Sequence, residues 1–422
     1  MRPAARALLA LAAAFAAATP LGAQQRVSLP ARDRALTLNT RTLFQVGKLE
    51  GEEYENFAGV TDVAFDHTGN LYVLDATAYR VVVFDARGRY FRTIGRQGDG
   101  PGEFGFPSAI ALLPGGELVV NDAAKSNLQI FGPDGTFLRT VVVAEELGRA
   151  AGRMRTSPKG GLITETFQLQ RLVSQADGGA PPPRMQVPAR AVTRLTIGDR
   201  ASGQRLFNAP PRNLQLATPK SAAGGVHVSM SITAFEPALL WSPTPDGGVA
   251  ALNAAPYRIT LIDAQGRPTR VLERAIQPRK ATKADRKRFL ENQKQGMAGG
   301  MGGGVAMIAF AARDPQAAGG HAAGPTNLRV SSVDIKESDV TWNDVIPVIS
   351  GLGTDSFGRL WVQRSGPDLG DGPIDIIDAN TSYLGTLAKQ QLPRAFGPGG
   401  RLAYVIKDDL DVQRVVVKQL LR

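Results

Sequence analysis

Between Val60 and Val143, apolar and polar residues alternate in short runs broken by glycine and aspartate. This period of two predicts half-buried antiparallel strands. Four runs come first, at 60–65, 71–74, 80–84 and 90–94, joined by turns such as Asp66-His67-Thr68-Gly69 and Asp85-Ala86-Arg87-Gly88. Glycine suits these turns because hairpins need a positive φ, which it reaches without Cβ strain. After 47 residues the pattern returns: Gly69 recurs as Gly116, Asp75 as Asp122, Phe84 as Phe131 and Gly88 as Gly135. A fixed period in the range of about 40–50 residues, built of short strands, is the sequence signature of a propeller blade.

Fainter copies follow. Lys159-Gly160-Gly161-Leu162 opens a third, with displaced strands near 191–197 and 205–208. A fourth runs from Asp246-Gly247-Gly248 through Tyr257 to Gly266, and a fifth opens at Asp355-Ser356-Phe357-Gly358 and continues through 374–378 and 383–387. The sixth, from Gly399 through 414–417, lacks a fourth strand before Arg422, whereas 42–47 resembles the fourth strand Arg92-Thr93-Ile94-Gly95. Pairing the two chain ends in this way removes exposed sheet edges. The expected fold class is therefore all-β, a six-bladed β-propeller of four-stranded antiparallel blades. An N-terminal strand closes the ring, and a helical and Gly/Ala-rich insertion lies at 279–330.

The stretch Gly95-Arg96-Gln97-Gly98-Asp99-Gly100-Pro101-Gly102-Glu103-Phe104 through Pro107, followed by Leu118-Val119-Val120-Asn121-Asp122, resembles the NHL-repeat six-bladed propellers. Repeats of that family carry a Gly-rich linker ending near Gly-Glu-Phe and a proline. The first two copies match closely, the others mainly through their strand and turn skeleton. The resemblance is greatest to the secreted bacterial members without assigned activity. The family also includes peptide-amidating lyases, antibiotic lyases and sensor domains of membrane kinases, so the resemblance implies a fold without choosing a function.

The start of the chain changes the picture of where this fold works. Arg2 and Arg6 precede a 12-residue apolar run, 7–18, and Leu21-Gly22-Ala23 ends in a small residue. This pattern reads as a secretory signal peptide cut after Ala23; a membrane anchor would need about 20 apolar residues. The expected product, 24–422, is periplasmic or secreted, has no transmembrane segment after cleavage, and is a monomer. With no cysteine there is neither a lipobox nor a disulfide framework. Losing Arg2 and Arg6 lowers the formal charge from +11 to +9, which favours anionic surfaces. Nucleic acid is not expected, because no aromatic-interleaved basic stripe is visible.

In an up-and-down blade the first-to-second and third-to-fourth strand turns share one face of the disc. The remaining loops and the links between blades share the other. That second face receives the 95–107 link, the 167–190 insertion, the 210–235 link, the long 274–342 segment and the 364–373 loop. Insertions gathered on one face of a repeat array mark a binding face. Asp62, Glu103 and Asp344 are the channel-mouth candidates for binding. Within the insertion, 280–294 has helix formers and i, i+4 charges, making Lys283, Arg286 and Lys287 candidates on a lid.

Asp75, Asp122 and Asn253 close the second strand of their copies, and Arg80, Arg258 and Arg414 also recur. A repeated residue solves a repeated structural problem. The acids and Asn253 are expected to hold the following loop, and the arginines to pair across or between blades. His67, His227 and His321 are the only histidines and are placed too far apart to share a zinc, so no metal site is assigned. No cofactor is expected; calcium, which needs only oxygen ligands at a channel mouth, is the one ion left open. No nucleophile elbow, P-loop or Rossmann fingerprint is present.

These features favour an exported, non-catalytic binding propeller that recognises a peptide, glycan or envelope protein. The alternative is a divalent-cation-dependent, lactonase-like hydrolase or lyase acting in the channel. The leader reading has its own outcome: expressed in a bacterium, the exported protein begins at Gln24, as N-terminal sequencing or intact mass will show. A product retaining Met1 overturns it.

Overall fold

The computed structural model describes residues 24–168, 170–172, 184–187, 190–214, 216–217, 229–230, 232–298 and 337–421. The expected leader at 1–23, His227, His321 and the Gly/Ala-rich part of the insertion lie outside these residues. Six small antiparallel blades form a β-propeller, two of them, the second and third, joined edge to edge by a short parallel pairing of Val142 and Val143 with Arg200 and Ala201. Their strands, from the channel outwards, are Val60–Phe65, Leu71–Asp75, Arg80–Phe84 and Tyr90–Ile94 in blade one, and Pro107–Leu112, Leu118–Asp122, Asn127–Phe131 and Phe137–Val143 in blade two. Blade three has Arg149–Thr156, Leu162–Phe167, Arg190–Ile197 and Arg200–Ala209. Blade four has Leu240–Pro243, Val249–Leu252, Arg258–Ile262 and Pro268–Arg274; blade five has Ile349–Thr354, Leu360–Ser365, Asp371–Ile377 and Tyr383–Leu387. Blade six is Ala395–Gly397, Arg401–Lys407, Gln413–Leu420 and the N-terminal Thr40–Val46.

The middle strands of a blade are covered on both faces, which is why they read as nearly continuous apolar runs. In blade one, Val63, Val73 and Val82 pack towards blade six, while Leu74, Val81 and Val83 pack towards blade two. One such apolar cluster fills each of the six blade interfaces. Outer strands face solvent on one side, so Tyr90 and Phe91 are exposed while Ile94 at the same strand's end is buried.

The N-terminus does more than close the ring. Strand β1 (Gln25–Leu29) adds to the outer edge of blade four, parallel to Pro268–Arg274. The chain then bridges blade five at Ala35 and Thr386 before β2 (Thr40–Val46) completes blade six, antiparallel to Gln413–Leu420. Gly385 accommodates this strap. Its φ is +147°, and a Cβ there would meet the Arg34 carbonyl and the Leu36 Cβ, each at 2.8 Å.

Under the strap lies a charge-balanced network. Arg274 reaches Asp375 and Asp33, both at 2.8 Å, and its Nε donates to the Pro30 carbonyl at 2.7 Å. Arg364 holds the other Asp33 oxygen at 2.7 Å, and the Thr386 hydroxyl donates to Asp375 at 2.6 Å. The side chains of Arg274 and Asp375 are fully buried. Burial raises the Asp33 pKa, but the hydrogen bonds and charges of Arg364 and Arg274 outweigh it and leave the group below its ordinary value.

The insertions build a second layer on the loop-rich face. Gln170–Leu172, Arg184–Val187 and Arg212–Leu214 join in one small sheet. A separate module pairs Ile232–Ala234 with Val340–Trp342 and Arg279–Lys280 with Val345–Ile346. Helix α1 (Lys283–Ala298) docks on it through Phe289, whose ring lies 5.5 Å from Phe235 and 5.8 Å from Trp342. The helix starts in a reciprocal capping box: the Asp285 amide donates to Thr282 Oγ1, and the Thr282 amide donates back to the Asp285 carboxylate at 2.8 Å. Arg279 holds the same carboxylate at 2.6 Å and donates to the Pro367 carbonyl of a blade-five loop.

Two outcomes follow from these contacts. Arg274→Met leaves Asp375 buried beside Arg364 alone, a loss of about 3–5 kcal/mol by analogy with broken buried pairs. Urea unfolding will show the loss, and proteolysis will cut within the loosened strap; an unchanged midpoint contradicts the network's importance. At α1, the Arg279 hydrogen bond, helped by Thr282 and opposed by burial, holds Asp285 well below the usual carboxylate range. Its contribution is complete above about pH 4 and is lost as pH falls below that value. Asp285→Asn therefore speeds amide exchange in α1 at pH 7, and its difference from the parent narrows below about pH 4; a pH-independent difference contradicts the ionic anchor.

Candidate functional site

The inner strands surround a central channel that widens towards the loop-rich face into a cavity of about 850 Å³. Its rim follows from a repeated backbone irregularity. The pairing of first and second strands shifts register at Val60/Asp62, Pro107/Ala109, Ala151/Met154 and Ile349/Gly351. Bulges re-aim side chains where they occur, and Thr61, Ser108, Arg153 and Ser350, all within these shifts, line the cavity. In blade three, Gly152 takes a φ of +61° at the bulge. Beyond it Met154 enters the core between blades two and three, while Arg153 and Arg155 on either side of it line the channel.

Arg153 and Arg155 also line the smaller cavity of about 420 Å³ at the turn-rich end, and no other residue among those described lines both. They mark the waist of the channel. Arg155 pairs with Asp62 through contacts of 3.2 and 3.3 Å and donates to the Arg394 carbonyl at 3.0 Å. Asp62 also accepts from the amides of Val63 at 3.0 Å and Ile110 at 3.2 Å, so one carboxylate ties blades one, two and three together. Arg153 crosses from blade three to blade five, donating from Nη1 to the Leu352 carbonyl at 3.1 Å, with its guanidinium carbon 5.7 Å from the centre of the Trp241 ring. Arg394 donates to the Thr61 carbonyl of blade one.

Three guanidinium groups thus meet one carboxylate. Burial, and then the like charges of Arg155 and Arg394, push the Arg153 pKa well down against the pull of Asp62. An arginine stays charged in a protein. Burial and like charge thus leave the Arg153 cation only partly compensated by Asp62.

The sequence candidates are dispersed by the fold. Asp62 is in the channel wall but buried, with 3% of its surface exposed and its oxygens engaged as described. Glu103 lies in the link between blades one and two, where it pairs with Arg96 at 2.8 Å and accepts from the Gly100 amide at 2.9 Å. Those partners, first the Gly100 amide and then Arg96, hold its pKa down. Asp344 is an exposed residue of the α1 module, its carbonyl accepting from the Ala281 amide at 2.8 Å. Neither Glu103 nor Asp344 lines the cavity. Lys283, Arg286 and Lys287 are absent from its lining too. Arg286 stacks 5.2 Å over Trp342, and Lys287 lies 3.9 Å from Glu291 on the exposed helix face. The described start of α1 is thus fastened at the rim by Arg279, Asp285 and Phe289, which does not suit a free lid.

The recurring polar residues do related work, though mainly on the link before each blade rather than on the following loop. Asp75 accepts from the Ala58 and Gly59 amides, and Asp122 from those of Gly105 and Phe106. Asn253 donates to the Pro237 carbonyl. Arg80 donates to the carbonyls of Glu53 and Asn56; one repeat later, Lys125 donates to Gly100 and Glu103 instead. Arg258 pairs with Glu273 and Arg414 with Asp408, each within its own blade rather than across an interface.

The waist does not suit a calcium ion. Calcium takes six to eight oxygen ligands, whereas the oxygens here, the Asp62 carboxylate and the carbonyls of Leu352, Arg394 and Thr61, already accept from guanidinium groups. Among the described residues no group of three or more His, Asp or Glu side chains is placed to hold a metal. His67 is exposed in a turn on the opposite face.

Arg153, Arg155 and Arg394 were not among the sequence candidates. The signal was the Arg-Met-Arg alternation at 153–155, on the inner strand of the faintest copy, where blades one and two carry Asp62-Val63-Ala64 and Ala109-Ile110-Ala111. Charge at alternate positions of an inner strand points into the channel.

A family model described as a 6-bladed beta-propeller matches residues 44–143. No curated protein sequence matches the chain. Among solved structures, a candidate exported protein from Bacteroides fragilis is 12% identical over 94% of this chain and 100% of its own, with a TM-score of 0.46. Virginiamycin B lyase from Staphylococcus aureus, solved with quinupristin, is 10% identical over 91% and 99%, with a TM-score of 0.38. The calcium-binding protein regucalcin from Agrobacterium tumefaciens is 12% identical over 94% and 98%, with a TM-score of 0.40. At this level of identity the activities of those proteins say nothing about this one.

Proposed function

We propose that the chain is an exported binding propeller of the NHL-repeat kind, which takes a peptide, glycan or envelope-derived ligand into the loop-rich end of its channel. The observation that carries this reading is the cavity of about 850 Å³ there, rimmed by the bulged inner strands. Its size falls within the range of ligand sites, about 300–1,000 Å³. Polar groups from several blades converge on it: Thr61, Ser108, Arg153, Ser350 and Arg394. Export rests on the leader pattern at 2–23.

The lactonase-like alternative is less favoured, because a catalytic divalent cation in this channel would have to compete with arginines for its oxygen ligands. A peptide and glycan array probed with the mature protein tests the binding reading. Binders should be lost with Ser350→Trp, which fills the rim, and kept with Asn380→Trp on the turn-rich face. Absence of binders, or binders indifferent to Ser350→Trp, removes the reading.

A further inference from the structure

Within that proposed channel site, we infer that the arginine waist is an oxyanion subsite, which receives a carboxylate or phosphoryl group of the ligand on Arg153 and Arg394. Four observations converge on it. Arg155 and Asp62 neutralise each other, while Arg153 and Arg394 have no carboxylate partner among the described residues. The Arg153 Nε is buried without an acceptor, as are those of Arg80, Arg194, Arg364 and Arg414, but of these arginines only Arg153 lines the wide cavity. Arg394 is exposed and, like Arg153, lines the wide cavity. Each described side-chain hydrogen bond of these two arginines goes to a backbone carbonyl, Leu352 or Thr61, which orients the guanidinium without cancelling its charge.

The chemistry selects the ligand class. A guanidinium offers five N–H donors in a planar fork that matches the paired oxygens of a carboxylate or phosphate. At the narrow end of a cavity with protein on all sides, such a charge is screened less than on an open surface. An anionic group would relieve the mutual repulsion of the waist arginines. The Asp62–Arg155 pair would stay as the brace that fixes the subsite's geometry. The rest of the ligand would lie in the wider compartment above, so the waist would set its direction of entry.

The test uses inorganic phosphate and succinate as probes, titrated calorimetrically into the mature protein in dilute buffer. Wild type is expected to bind at least one of them, more weakly as salt is added. Arg153→Gln and Arg394→Gln should each weaken that binding at least tenfold, Arg153→Lys should keep part of it, and Lys418→Gln, outside the channel, should leave it unchanged. Preference for succinate points to a carboxylate-bearing ligand and preference for phosphate to a phosphoryl-bearing one; either supports the subsite. Arg394 is exposed, so its variant tests the site even where Arg153→Gln fails to fold. No binding by wild type, unaltered binding by both arginine variants, or an equal loss in Lys418→Gln overturns the inference. Failure of the broader binding reading would look different: anions bound at the waist, but array binders indifferent to the filled rim.

Discussion

Burial on both faces of every blade is the constraint from which the rest of this structure follows. A four-stranded sheet covered on one side could leave alternate positions polar. A sheet wedged between two neighbours must make its middle strands apolar at nearly every position, as in Leu71–Asp75 and Arg80–Phe84. The six interfaces close only if the last blade meets the first, so the pairing of β2 with Gln413–Leu420 completes the array. The apolar cluster between blades six and one, with Val46, Phe57, Val63, Val415 and Val417, depends on that pairing.

Charge is arranged to serve the ring in two different ways. On its outer side, Arg274, Arg364, Asp33 and Asp375 form a balanced set that locks the strap to blades four and five. At the waist the balance is deliberately poorer: Asp62 and Arg155 brace three blades, and Arg153 and Arg394 are left with carbonyls alone. Buried ionic groups that are fully paired are structural in character, whereas a cation short of an anion is what a ligand can complete. The contrast between these two clusters in one molecule separates scaffold from site more sharply than conserved-looking repeats such as Asp75 and Asp122. Those bind the amides of Ala58 and Gly59 or of Gly105 and Phe106, and are fully occupied in doing so.

Much of the fold was legible because its signals are local. The 47-residue offset, the Gly69 and Gly116 turns and the alternation of the strands arise from contacts within one blade or with its neighbour. The closing strand was readable too, since 42–47 repeats the pattern of 92–95. The parallel addition of β1 to blade four was not, because Gln25–Leu29 resembles no strand of the repeat and its partner lies more than 240 residues away. The site candidates fared worse for the same reason. Glu103 and Asp344 look like channel-mouth acids from their place in the repeat. A link folded back on itself turns Glu103 towards Arg96, and the α1 module carries Asp344 away from the cavity.

By itself, then, the sequence determined the blade, its repetition and the closing of the ring, because period-two burial and positive-φ turns are written in neighbouring residues. The tertiary structure alone decided which polar groups meet at the centre. Asp62, Arg153, Arg155 and Arg394 come from two blades and the link before blade six, and they approach one another only once the ring is shut. Whether Arg153 finds a carboxylate or only the Leu352 carbonyl depends on what blade five presents across the channel, a relation that no periodicity along the chain encodes.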